Sequence, residues 1–414
     1  MKRQIKYIIA AVLLISVVLF PVCHVYAVED YWLNHDEESL GNCRECHLLH
    51  DEKVAHDAHV IVECEACHLQ KIIPVKDPES KRVSWQFDGK PGEEDNLADL
   101  AFAVSEENCQ RCHIKRNRVG AAAMALPAKS LLCMPCHPAT FSVGDTTTIV
   151  SLFVFLLGIL SLLSVWISGN MAGDKEMGLG IKVHKISFSI IGALFSVRIL
   201  HITKALAFDA LLQRRLYRQS RLRWLIHSLI FFPFVFRFSW GMVALLSSLW
   251  VPEKQLAWAM LDKNYPVGAF LFDMTGVMVI SGVILAMFRR VFRKSENLPG
   301  LPNHDWPASS LIGGIIIIGF ILEGMRIAMT GSPEGAQYAF IGYGISRFFT
   351  DIFGLTDIYG YIWYGHAIFV GAFLAYLPFS RMLHIIMAPV VIAMNAGKGF
   401  AGKFKHDPPL NRIT

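Results

Sequence analysis

The chain reads as an all-α protein in two parts: an exported, polar N-terminal domain with little regular structure, and a five-helix transmembrane bundle. Three features predict this. Residues 1–27 have the layout of a signal peptide, residues 28–145 are polar and carry four Cys-x-x-Cys-His motifs, and the remainder holds five apolar runs close to membrane-crossing length.

At the N-terminus, Lys2, Arg3 and Lys6 precede an apolar run from Ile8 to Val22 that closes on Val25-Tyr26-Ala27, the order of a secretory leader with its small-residue cleavage site. Cleavage after Ala27 removes Cys23, the odd one of nine cysteines. An uncleaved anchor is the alternative and leaves the following domain on the same outer face. Lipidation of Cys23 is disfavoured, because Phe20-Pro21-Val22 fits a lipoprotein box poorly.

In residues 28–145 the motifs are Cys43-Arg44-Glu45-Cys46-His47, Cys64-Glu65-Ala66-Cys67-His68, Cys109-Gln110-Arg111-Cys112-His113 and Cys133-Met134-Pro135-Cys136-His137. Each is the attachment signature of a c-type haem: two thiols add to the vinyl groups and the adjacent imidazole ligates iron. Four covalent haem c groups are therefore expected. Structural zinc and disulfides are the competing uses of paired cysteines, and neither explains a His after every second Cys. So polar a segment builds little apolar core of its own, and buried porphyrins would supply one. Short helices and loops follow, with little sheet, and Lys76 to Asp99 reads as a solvated loop. Besides His47, His68, His113 and His137, the domain holds His35, His50, His56 and His59, which completes bis-His ligation of four irons by count. Met124 and Met134 are the alternative axial ligands. The His47 and His50 spacing, Cys-x-x-Cys-His-x-x-His, resembles small class III multihaem cytochromes.

Apolar runs then occupy Thr148 to Ser168, Leu225 to Trp250, Gly268 to Met287, Leu311 to Met329 and Tyr364 to Ile386, each near the roughly 20 residues that cross a bilayer as a helix. Lys and Arg concentrate on the cytoplasmic side of such proteins. The clusters at Arg214, Arg215, Arg218, Arg221 and Arg223, at Arg289, Arg290, Arg293 and Lys294, and at Lys398, Lys403 and Lys405 are accordingly placed inside. With the first domain outside, a further run from Ile186 to Phe208, broken by Arg198, His201 and Lys204, cannot cross without breaking this parity. It reads as an interfacial or re-entrant helix, with a sixth span as the alternative and His201 as a surface residue. These inner loops account for the net charge of +5, and no nucleic-acid partner is read from it. Residues 146–210 thus hold the first span and an interfacial helix, 211–400 the other four spans, the stretch that the resemblance given below marks as a cytochrome b domain, and 401–414 a basic cytoplasmic tail.

Ionisable groups within spans are costly and mark function. His366 and His384 lie eighteen residues apart, five turns of a continuous helix, which would set them on one face about 27 Å apart along its axis. His227 falls level with His384, and the pair can clamp one b haem.

The segment from His366 to His384 with its Pro-Phe-Ser-Arg, followed by Pro389, resembles the last helix of the respiratory nitrate reductase gamma subunit. It is similar too in the membrane subunits of heterodisulfide reductase and of the sulfate reducers' transmembrane electron-transfer complex. Gln213-Arg-Arg-Leu-Tyr-Arg followed by Arg223-Trp224-Leu-Ile-His227 resembles their second helix. The resemblance covers about Arg214 to Lys398. It implies a diheme cytochrome b protein that exchanges electrons with menaquinol and docks a cytoplasmic iron-sulfur subunit. Where those relatives carry a second His, this chain has Arg237. His366 then lacks its obvious partner, one or two haem b are expected, and Arg237 is read as a haem-propionate or acid partner.

A quinol site needs proton acceptors near a haem edge. Glu323 and Arg326 share a helical face, and Asp273 and Lys263 lie at similar depth. A structural Glu323–Arg326 ion pair is the plainer alternative. The whole reads as a quinol oxidoreductase subunit of a bacterial cytoplasmic membrane, linking the menaquinone pool to periplasmic cytochromes, with a non-catalytic haem conduit or redox sensor as the competing class.

Overall fold

The computed structural model describes residues 59, 62–63, 65–89, 106–141, 143, 145–168, 188, 198–251, 254–292, 306–350 and 352–397. The described residues are mostly helical, and five of the helices are long and apolar enough to cross a membrane. The chain divides into two compact units, one of residues 30–155 and 226–377, the other of residues 1–29, 156–225 and 378–414.

The first unit begins with a short helix, α1 (Glu65–His68), and two strands, β1 (Ile72–Lys76) and β2 (Val83–Phe87). The strands pair antiparallel with Ile72 opposite Phe87 and Lys76 opposite Val83. This corrects the expectation of a solvated loop from Lys76. The turn is closed locally: the Asp77 carboxylate accepts from the Glu79 and Ser80 amides and the Ser80 hydroxyl, and Lys81 takes a left-handed φ of 58°. Asp77 is held below the usual carboxylate range, first by these Ser80 hydrogen bonds. Ala66, Leu69 and Ile72 form a small core beneath Val62, Trp85 and Phe87.

A second short helix, α2 (Glu106–Cys109), and a loop stapled by Asn117 lead to the bundle. The hairpin and loop dock on one end of it. Lys76 Nζ donates to the carbonyl of Met329 at 3.3 Å, a cation at a helix C-terminus. The Ala123 amide donates to Thr356 O at 3.0 Å, and Arg82 pairs with Asp262 at 3.5 Å. Gly120, at φ +79°, packs so closely that a Cβ would run into the Met329 carbonyl.

The spanning helices are α3 (Thr146–Ser168), which crosses out of this unit, α6 (Arg221–Trp250), α8 (Pro266–Phe292), α9 (Trp306–Met329) and α11 (Leu355–Tyr376). Between them lie α4 (Arg198–Ala205), α5 (Arg214–Gln219), α7 (Gln255–Leu261) and α10 (Phe340–Ser346). Asp145 caps α3, accepting from the amides of Thr147 (2.9 Å) and Thr148 (3.1 Å) and from the Thr148 hydroxyl, which fills the orphan donors of a first turn. Within the first unit α9 packs against α8, α10 and α11.

In the second unit α4 runs into a π-helical turn, Leu206–Leu211, and packs against a last helix, α12 (His384–Gly397). The buried Asp209 carboxylate holds Arg214 (3.0 Å) and Arg215 (3.1 Å). Of the run from Ile186 to Phe208, only Phe188 and the residues from Arg198 onward are described, and the described part is not among the five spans.

The last apolar run is not the single helix expected from Tyr364 to Ile386. It starts earlier, at Leu355, ends as α-helix at Tyr376, passes through 3-10 turns, and restarts at His384. Pro378 has no amide to donate. Ser380 turns extended (φ −110°, ψ 167°), its hydroxyl accepting from the Met382 amide. His366 and His384 therefore lie on different helices, and the shared face deduced from their spacing does not exist.

Candidate functional site

The fourth Cys-x-x-Cys-His motif is built into the end of the bundle. A 3-10 turn, Leu131–Cys133, continues so that the amides of Cys136 and His137 both donate to Cys133 O at 3.0 Å, which puts two thiols and an imidazole on one short turn. Ser130 Oγ and Thr148 Oγ1 are hydrogen-bonded at 2.7 Å, tying the motif to the first turn of α3. On the other side Gly241 of α6 meets the motif's backbone, where a Cβ would stand 3.0 Å from His137 O. Burial holds the His137 imidazole well below its usual range, hence neutral, the form that ligates a metal. Burial also raises the Cys133 thiol and pushes Cys136 up to about 11, with Arg237 opposing it.

These residues line a cavity of ≈ 1420 Å³ of empty space, its open mouth included. From α6 it receives Arg237 and Trp240, from α8 Phe272 and Asp273, from α9 Gly319, Glu323 and Arg326, and from α11 Tyr359, Trp363 and His366, with Lys263 in the loop before α8. The sets from α6, α9 and α11 follow a helical repeat of three or four residues, so one face of each of these helices looks inward.

Its charges are unevenly matched. The guanidinium of Arg237, 7% exposed, donates to Thr275 Oγ1 at 2.9 Å and to Phe272 O, and lies 5.2 Å from the Phe272 ring centroid, with no carboxylate at ion-pair distance. Arg326 donates from Nη1 to Asn264 Oδ1 at 2.9 Å, and its buried Nη2 has no hydrogen-bond partner. Glu323 forms no ion pair with Arg326 among the described residues, which removes the plainer alternative, and it lines the cavity together with Asp273. Asp273, 1% exposed, accepts from the amides of Ile341 (2.6 Å) and Gly342 (3.3 Å) at the start of α10. A buried cation without a counter-charge is costly, and Arg237 and Arg326 both offer donors to an anionic or carbonyl-bearing ligand.

Two histidine pairs stand out among the described residues. The rings of His137 and His366 have centroids 6.1 Å apart at 63°, and those of His59 and His113 also stand 6.1 Å apart, at 89°. Two imidazoles on opposite sides of one metal, each bonded at about 2 Å, place their centroids about 6 Å apart. His113 Nδ1 lies 2.9 Å from Ala122 O, and His384 Nδ1 lies 2.8 Å from Arg381 O. Such a bond orients an imidazole and leaves Nε2 for a metal. His227 on α6 stacks near Phe231. Among the described residues no three His, Cys, Asp or Glu side chains converge on one metal position. The second and third motifs lie close together, the neighbouring Cys67 helping burial to push Cys112 up to about 11. Cys67, Cys109, Cys112, Cys133 and Cys136 form no disulfides. Cys43, Cys46, His47, Cys64, His35, His50 and His56 lie outside the described residues. Of the alternative ligands, Met124 packs its thioether against Gly360 and Met134 is buried in its own motif.

The sequence alone pointed to Glu323, Arg326, Asp273, Lys263 and Arg237 at this site, and missed Tyr359, Trp363, Trp240 and Asn264. Tyr359 and Trp363 precede His366 by seven and three residues, a stripe that becomes visible only once α11 begins at Leu355 rather than Tyr364.

A bundle of spanning helices with buried carboxyls, cations and a paired imidazole at one end is the architecture of a membrane redox protein. Known proteins with similar sequences are redox proteins by name. The chain is 25% identical over 262 residues to a subunit of the dihydromethanophenazine:CoB–CoM heterodisulfide reductase of Methanosarcina barkeri, covering 60% of this chain and 89% of that one. It is 26% identical over 204 residues to the corresponding subunit from Methanosarcina mazei, 47% of this chain and 68% of that one. It is also 24% identical over 184 residues to the EtfAB:quinone oxidoreductase of Syntrophomonas wolfei, 42% of this chain and a quarter (25%) of the relative's length. No protein-family model matches the chain, and no solved structure does.

Proposed function

We propose that this chain is the membrane subunit of a quinol-linked oxidoreductase, and that the cavity at the end of the bundle is where quinol gives up or regains two electrons and two protons. The observation that carries this is the meeting, in one cavity, of an attachment motif (Cys133, Cys136, His137) with two carboxyls (Glu323, Asp273) and two cations with no carboxylate partner among the described residues (Arg237, Arg326). The likeness to redox proteins, one of them a quinone oxidoreductase by name, supports it.

Covalently held haems would supply one-electron carriage between this cavity and acceptors in the polar domain, with the inner b haem expected from the resemblance as a second outlet. The chain's own residues do the rest. Oxidation of QH₂ to Q releases two electrons and two protons. The Glu323 carboxylate takes one quinol proton and the Asp273 carboxylate the other, and the exposed Lys263 provides their route to solvent. Arg326, held by Asn264, orients a ring oxygen, and Trp240, Phe272 and Trp363 form the apolar walls that a quinone ring requires. The menaquinol class follows from the resemblance, as do a cytoplasmic iron-sulfur partner and periplasmic cytochromes. The same groups serve quinone reduction, and the partner's potential sets the direction.

The test is reduction of the matured, detergent-solubilised protein by a menaquinol analogue, followed in the haem absorbance. Glu323→Gln is expected to slow quinol-driven reduction by about 10²-fold or more, the scale of lost acid–base assistance, while dithionite still reduces every haem. Equal rates in wild type and Glu323→Gln, or no quinol-driven reduction of wild type, would reduce the chain to a haem conduit.

A further inference from the structure

We propose that His366 is the second axial ligand of the iron in the haem attached at Cys133, Cys136 and His137, so that a transmembrane helix completes a covalently bound haem of the polar domain. This rests on the haem reading above.

Four observations converge on it. The His137 and His366 rings stand 6.1 Å apart, the separation two imidazoles take across one iron at bond lengths of about 2 Å. A second motif histidine, His113, stands 6.1 Å from His59, so an imidazole from the membrane bundle repeats an arrangement found within the polar domain. Cys133, Cys136, His137 and His366 line one cavity, and the buried Nδ1 of His366 has no hydrogen-bond partner among the described residues. Among the described residues no other imidazole contacts His366, and the position where a partner on α6 was expected is Arg237, already engaged with Thr275 and Phe272.

The consequences are specific. A b haem at the outer end of the bundle has no ligand pair, so the chain carries one b haem. One of His35, His50 and His56 is released from iron ligation. The cavity that offers Glu323 and Asp273 as proton acceptors then also contains the first electron acceptor, with no b haem between.

The experiment is a haem inventory and spin-state measurement on matured full-length protein, comparing wild type with His366→Ala and His366→Met. The c-haem and b-haem counts are expected to stay the same in both variants. In His366→Ala one of the four c haems turns from low to high spin, binds carbon monoxide when reduced, and returns to low spin with added imidazole. In His366→Met one c haem keeps six ligands and titrates at a higher potential, as a thioether ligand produces. Loss of b-haem absorbance with all c haems low spin would overturn the proposal, and so would unchanged spectra in both variants. Should His366→Ala fail to accumulate, the volume-conserving His366→Met carries the same decision. Failure of the underlying reading shows differently: wild-type protein would then carry no haem that survives denaturation.

Discussion

The pairs His59–His113 and His137–His366 have the same 6.1 Å spacing and opposite surroundings. The first joins two positions of the polar domain, close to a hairpin whose core is six residues and to the neighbouring Cys67. The second joins the last motif of that domain to the middle of a spanning helix, beside Arg237 and opposite Glu323. One motif type, repeated along a sequence, thus occurs once beside another motif and once facing the cavity of the bundle, and under the proposed haem reading these become a carrier beside other carriers and a carrier beside the quinol. What differs is the packing around the motif: Gly241 admits the His137 backbone onto α6, and Ser130 and Thr148 lash it to α3.

Breaking that packing should separate the two pairs most strongly. Gly241→Leu inserts a side chain where even a Cβ meets His137 O at 3.0 Å, an overpacking cost of about 1–3 kcal/mol. The expected result is a quinol-driven reduction rate lowered about 10- to 100-fold, with the spectrum of the His59–His113 haem intact. A smaller, opposite test is His59→Ala. It should open one iron of the polar domain to carbon monoxide and leave the initial rate of quinol oxidation unchanged, because the proton acceptors lie in the other cavity. Arg237→Gln removes a buried cation beside the motif while keeping hydrogen-bond donors. The potential of the bundle-facing haem is expected to fall, by about 59 mV for each 1.4 kcal/mol of lost electrostatic support, and redox titration of the separate c haems measures it. The smallest effect belongs to the cap: Asp145→Ala should cost about 1 kcal/mol of stability. Hydrogen bonds from Thr148 and Thr147 outweigh the opposing effect of burial and hold Asp145 below the usual carboxylate range. Its contribution is therefore complete above that range and disappears as pH falls through the lowered value, so wild type and variant should converge in thermal stability in acid.

Much of this architecture was legible in the sequence. The first four spans announce themselves because a lipid-facing helix must be apolar along nearly its whole length, and α9 lies within five residues of its expected start. The last span was misplaced because hydropathy runs on through Pro378 and Ser380, where the backbone turns extended. That error joined His366 to His384 and concealed Tyr359 and Trp363. The hairpin was missed for a related reason. Ile72–Lys76 and Val83–Phe87 are too short and too polar between them to stand out, and their pairing depends on an Asp77 turn whose hydrogen bonds are local. The cavity's charged residues were found by the rule that ionisable groups in spans have a purpose. Their partners were not: the spacing of Glu323 and Arg326 suggested an ion pair, whereas Asp273 and Asn264, distant in sequence, are the groups they face.

The central claim, that thioether-linked haem and imidazole-held haem occupy the two parts of the chain, is tested most directly by a pyridine haemochrome spectrum of the matured protein with c and b contributions resolved. The account predicts four c haems and one b haem per chain. A colourless protein, or one whose porphyrin is wholly extractable into acid acetone, would contradict it.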